Sequence, residues 1–146
     1  MIAVDTNVLL RHVLQDDPDQ SSRASAVMAR HSSVLITDVV LVECLWTLCG
    51  RKYQASRDDI AKLINDLLCE PRVVFENPQA VWAALNAFMA DYPPQDVDGR
   101  RRKLPYFADA LIVHKSRVLA HQAGERLDGV YTFDSGALHI AGTERP

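Results

Sequence analysis

The sequence predicts an α/β fold, and three observations carry that reading. Short apolar runs at Ile2 to Val4, "VLIT", "RVVF" and "GVYTF" read as strands bounded by turn or polar residues. Between them lie stretches with apolar residues at helical spacing, two in each interval. Parallel neighbours need a crossover, and a helix usually supplies it. With 146 residues, 48% of them hydrophobic, the chain is sized as a single domain spanning 1–146 with a sizeable core.

The elements follow in order. Val8, Leu9, Val13 and Leu14 place a helix over Asn7 to Leu14 directly after the first strand, and Asp16, Asp17 and Pro18 break it. A polar helix from Asp19 to His31 turns Ala24, Val27 and Met28 to one side, and "VLIT" is the second strand. Thr37 is a cap for "DVVLVECLWTLCGRKY", which Gly50 and basic residues punctuate at its end. Ser56 caps a helix from Arg57 to about Cys69 with an Ile60, Leu63, Ile64, Leu67, Leu68 stripe, and Pro71 stops it. After "RVVF", Asn77 and Pro78 make a cap and first-turn proline for a helix to about Ala90. "DYPPQDVDGRRRKLP" reads as an exposed loop, "YFADALIVHKSRVLAHQAG" as a helix up to Gly124, and "GVYTF" as the last strand.

Bulk properties exclude several classes. Sixteen Lys plus Arg against 19 Asp plus Glu give a net charge of −3, so no global field attracts nucleic acid or an anionic membrane, and any anionic partner must be met locally. No apolar run approaches the roughly 18 residues of a membrane helix, and the N-terminus lacks a secretory signature. Cys44, Cys49 and Cys69 form no CxxC pair and read as reduced thiols, which suits the cytoplasm.

Four acids stand where acids are costly or exposed to use. Asp5 ends the first strand and Asp134 the last, so both are expected at the carboxyl edge of the sheet, where ligands bind in such folds. Glu43 is the only charged residue between Val39 and Cys49, with Val39, Val40, Trp46 and Thr47 as one-turn neighbours, which predicts an apolar setting. Asp109 is likewise the only ionised side chain from Leu104 to Val113. Each has a simpler use: Asp5 or Asp109 at a helix start, Glu43 in an arginine pair, Asp134 opening a turn with Ser135 and Gly136. A shared cation accounts for all four together. Carboxylate oxygens suit Mg²⁺ or Mn²⁺, while the five histidines show neither HxxxH nor HExxH spacing for zinc.

"IAVDTNVLL", "VECLWTL", "FADALIVHKS" and "VYTFD", in order over nearly the whole chain, resemble the PIN domain, and more narrowly the VapC toxins of bacterial toxin–antitoxin pairs. The resemblance implies a three-layer α/β/α sandwich around a mostly parallel sheet of four or five strands, and a Mg²⁺- or Mn²⁺-dependent ribonuclease site. Asp5, Glu43, Asp109 and Asp134 match the family's acidic positions, and Thr6, Asn7 and Thr132 its supporting polar residues. It further implies a single-stranded or looped RNA substrate, a homodimer and a small antitoxin partner. Two features depart from the pattern: Asp134 follows Thr132 by only two residues, and Gln95 to Lys103 is long and charged.

The mechanism expected of such a site is attack of a metal-activated water on phosphorus, with Asp5 and Asp109 holding the ion and Glu43 and Asp134 bound to it or oriented through water. Four carboxylates would otherwise repel a phosphodiester. Arg100, Arg101, Arg102 and Lys103 form the one dense basic run, which serves as a solvated loop, an RNA contact or an antitoxin contact. Two rival readings stay open: a catalytically inactive domain that binds RNA or protein, and an aspartyl-phosphate phosphotransferase with Asp5 as nucleophile, in which Asn7 stands where a second aspartate is generally needed.

Overall fold

The computed structural model describes residues 1–95 and 99–146, and the chain divides into two compact units, Met1–Pro78 and Gln79–Pro146. In the first unit, β1 (Ile2–Ala3), β2 (Val34–Ile36) and β3 (Val73–Phe75) form a parallel sheet in that order, with Ile2 opposite Val34 and Val34 opposite Val73. Two helices cross over in each interval: α1 (Thr6–Leu14) and α2 (Pro18–Arg30), then α3 (Asp38–Cys49) and α4 (Arg57–Cys69). The expected strand–helix alternation is present, and its punctuation is chemical. Asp5, Asp17, Thr37 and Ser56 each cap a helix by accepting a backbone N–H two or three residues into it. Ser56 and Asp59 close a reciprocal capping box. Leu9, Val34, Ile36, Leu41, Cys44 and Ile64 are fully buried.

In the second unit, α5 (Pro78–Phe88) and α6 (Phe107–Gln122) meet through Phe88 and Phe107, edge to face with ring centroids 6.2 Å apart. The helix expected to reach Ala90 ends at Phe88. A second parallel pair, β4 (Val130–Tyr131) and β5 (Thr143–Glu144), closes around a 3-10 turn at Ala137–His139. The five strands are thus hydrogen-bonded as sets of three and two, where a single sheet of four or five was expected. Strands of two or three residues leave little room for further pairing. Of the long charged loop, residues 96–98 lie outside the described residues; flanking them, Gln95 and Arg101 form an isolated antiparallel bridge and Arg102 N–H donates to the Pro94 carbonyl at 3.2 Å. No described helix is long and apolar enough to cross a membrane.

Candidate functional site

In the first unit, β1 delivers Asp5 to the start of α1. One carboxylate oxygen, Oδ1, accepts the Val8 N–H at 2.8 Å and so caps the helix, while Oδ2 has no partner among the described residues. The cap and the site reading of Asp5 are therefore compatible: one oxygen each. Thr6 Oγ1, on the next residue, donates to Glu43 Oε2 at 2.6 Å. That bond seats the Glu43 carboxylate at the first turn of α1 and leaves Oε1 open.

The setting of Glu43 corrects the sequence expectation. Its one-turn neighbours are indeed apolar, but Glu43 is exposed, as are Val39 (68%) and Trp46 (63%) on the same side of α3. The apolar pattern there marks a surface that faces water, so burial does not penalise the charge. Two further acids, Asp38 and Glu76, follow β2 and β3 at the same sheet edge; Glu76 Oε1 accepts the Asp38 N–H at 3.0 Å and helps hold the start of α3.

In the second unit, Asp109 sits in the first turn of α6, where its Oδ2 accepts the Tyr106 N–H at 2.8 Å and Oδ1 has no partner among the described residues. Asp109 is half-buried, and burial pushes its pKa above the ordinary aspartate value; the nearby Asp134 charge adds to the rise, while the Tyr106 N–H and Lys103 oppose it. Asp134 Oδ1 accepts two backbone N–H groups, from Gly136 at 2.7 Å and Ala137 at 3.0 Å, and Thr132 Oγ1 accepts the Asp134 N–H at 3.0 Å. Oδ2 is engaged by the Lys103 ammonium. That hydrogen bond, then the Ala137 N–H, holds the Asp134 pKa below the usual range against a modest cost of burial.

The turn that makes this possible depends on Gly136. A Cβ there would meet the Leu104 carbonyl oxygen at 2.6 Å and Asp134 Oδ1 at 3.0 Å, so no larger residue fits without moving backbone.

The basic run is not a uniform patch. Lys103 is committed to Asp134, and Arg102 turns its guanidinium to the Gln95 carbonyl and the His139 ring, both at 3.3 Å. Arg100 and Arg101 are exposed. The pairing of Lys103 with an acid 31 residues away is invisible in sequence, where Lys103 reads only as the end of a charge run. Also unread was the basic segment Arg51–Lys52, taken there as helix punctuation. Asn7, exposed on α1, makes no side-chain bond among the described residues.

A family model for the PIN domain matches residues 2–141, and the chain belongs to the PIN domain family. PIN domains are generally metal-dependent nucleases and usually bind divalent metals. No curated protein and no solved structure matches the chain significantly.

The donor chemistry fits a hard divalent cation. The acids are all-oxygen donors; Asp5, Glu43 and Asp109 are each oriented through one oxygen and present the other, while Asp134 carries a displaceable ammonium on its second oxygen. Among the described residues, no group of three or more His, Cys, Asp or Glu side chains is placed to hold a metal ion. The acids appear instead as pairs, Asp5 with Glu43 and Asp109 with Asp134, one pair in each unit.

Proposed function

We propose that this protein is a Mg²⁺- or Mn²⁺-dependent endoribonuclease of the VapC type, the toxin of a cytoplasmic toxin–antitoxin pair. The observation that carries the reading is the way Glu43 is held: the hydroxyl of Thr6, 37 residues away in sequence and next to Asp5, fixes one carboxylate oxygen at 2.6 Å and leaves the other available. Among the described residues, Asp5 and Asp109 likewise keep one oxygen without a hydrogen bond, but so does the plain helix cap Asp17, whereas the Glu43 carboxylate serves no backbone group at all. In this reading Asp5 and Asp109 are direct ligands, and Glu43 and Asp134 bind or orient the ion's water. The bound cation supplies an acidified water and neutralises charge on the phosphate. Thr6 keeps the Glu43 carboxylate in its rotamer, and Lys103 balances the charge of Asp134, a role the ion would take over if Asp134 ligates it.

A single-stranded substrate is favoured by the exposed aromatics beside the acids. Trp46 lies one turn from Glu43, Tyr106 (57% exposed) three residues before Asp109, and Phe133 (81% exposed) next to Asp134. Unpaired bases offer faces on which such rings stack. The partners in this proposal are an RNA substrate, a second copy of the chain and a small antitoxin.

The test is RNA cleavage by purified wild type, Asp5→Asn and Asp109→Asn, with sequencing of the ends. Wild type gives 5′-phosphate and 3′-hydroxyl ends, EDTA stops the reaction, and both variants lose it. Cyclic 2′,3′-phosphate ends or full activity in EDTA refute the mechanism. No cleavage by wild type supports a catalytically inactive domain, equal cleavage by Asp5→Asn supports a differently built site, and phosphorylated Asp5 after substrate trapping points to a phosphotransferase.

A further inference from the structure

Beside the Asp5–Glu43 pair, within the first unit, α1 and the end of α3 enclose a cavity of about 310 Å³. Asn7, Arg11, Thr47, Arg51, Lys52 and Tyr53 are among its walls. It begins where the acid pair ends. Asn7 is two residues beyond Asp5, and Thr47 is one turn beyond Glu43, with its Oγ1 donating to the Glu43 carbonyl at 2.9 Å. At 1.5 Å per residue, four residues advance about 6 Å along α3.

The walls divide into a fixed frame and free charge. Arg11 is held by Asp16 at 2.7 Å and Gln20 at 2.8 Å, and Tyr53 OH donates to Asp16 Oδ2 at 3.2 Å, so the Arg11 charge is cancelled and the ring is oriented. Lys52 lies over the Tyr53 ring, 4.8 Å from its centroid, and its pKa is raised by a hydrogen bond with Tyr53 and, more weakly, by the Asp16 charge, while Arg51 has no side-chain partner among the described residues. Both are exposed. Two exposed cations, Arg51 with no acid paired to it among the described residues and Lys52 with no salt bridge there though the Asp16 charge acts on it, thus face a small concavity on a chain whose net charge is −3. A field this local attracts a local anion. The volume is that of a small-ligand pocket, about the scale of a nucleotide.

We infer that this cavity seats the RNA phosphate adjacent to the one that is cut, with Arg51 and Lys52 as its contacts. The inference rests on the ribonuclease reading and adds the substrate's path: a strand crossing Asp5 and Glu43 continues along α1 and α3. It also moves RNA contact away from the Arg100–Lys103 run, in which Arg102 and Lys103 are internally engaged. An acidic peptide meets the same two cations but has no reason to span the carboxylates beside them.

The experiment is fluorescence anisotropy of a labelled single-stranded RNA oligonucleotide in EDTA, over a range of salt, with wild type and Arg51→Ala/Lys52→Ala. The variant binds about tenfold more weakly, and its log–log salt slope is shallower by about 0.7, the loss of one neutralised phosphate on a single strand. Both residues are exposed, so circular dichroism and Tm are expected to be unchanged. Unchanged affinity and slope, with Asp5→Asn still abolishing cleavage, overturn the inference and leave the ribonuclease standing. A loss confined to a polyglutamate peptide assigns the cavity to an acidic protein partner and also overturns it. An Asp5→Asn protein that cleaves like wild type removes the cleavage site built on Asp5, and the inference with it, while absence of cleavage by wild type removes the ribonuclease reading itself.

Discussion

Single atoms decide most of the behaviour expected of the acids. Asp5 caps α1 with Oδ1, and asparagine caps a helix as well as aspartate does. Asp5→Asn therefore keeps its stability and loses metal binding and cleavage, whereas Asp5→Ala also loses about 1 kcal/mol in denaturant unfolding. Thr6→Val removes the donor that seats Glu43 and should weaken Mg²⁺ or Mn²⁺ affinity about 10–100-fold by calorimetry, with the fold intact. Asp109 has a pKa raised by burial, so its charged form opposes folding: the stability it contributes is present below the unfolded aspartate value and is lost as pH rises through the higher folded value. Asp109→Asn should accordingly raise Tm at neutral pH while abolishing cleavage. A fall in Tm would show that the charge is favourably placed after all.

At the scale of elements, the capping box at the start of α4 gives a clean measurement. Ser56→Ala should cost about 1 kcal/mol. Its partner Asp59 has a pKa lowered first by the Ser56 N–H and then by the hydroxyl, so its contribution is complete above the unfolded value of about 3.9 and disappears as pH falls through the lower folded value. Gly136→Ala, by contrast, should distort the turn that holds Asp134, costing roughly 1–3 kcal/mol from the overpacked contact with Leu104. These elements also show what sequence can carry. The helix starts at Thr37 and Ser56 were legible because a cap is a local hydrogen bond between near neighbours, whereas Asp17, which reads in sequence only as a break before a helix at Asp19, is the cap of α2. β5 was not, because two residues, Thr143 and Glu144, have no period to read. Glu43 was found by its isolation among apolar residues, but the inference of burial failed because Val39 and Trp46 are themselves exposed.

For the molecule as a whole, the pattern of charge is the main constraint. In a protein of net charge −3, the proposed RNA binding rests on a small number of phosphate contacts and a metal ion, so its salt dependence is expected to be shallow, and cleavage to vanish on chelation and return with Mg²⁺ or Mn²⁺. The family was legible as motifs across residues 2–141. The ion pair of Lys103 with Asp134 and the cavity of Arg51 and Lys52 were not, because they depend on contacts between segments far apart in sequence or on what surrounds a turn.

The division of labour within Asp5 bears on how such a protein decays. An aspartate that anchors a helix remains under selection for folding even in a descendant that no longer cuts anything, so its persistence certifies nothing about chemistry. Glu43 has no structural employment beyond the hydroxyl of Thr6, and a lineage that abandons catalysis is free to lose it first. Among relatives of this chain, the glutamate is the better marker of a living enzyme.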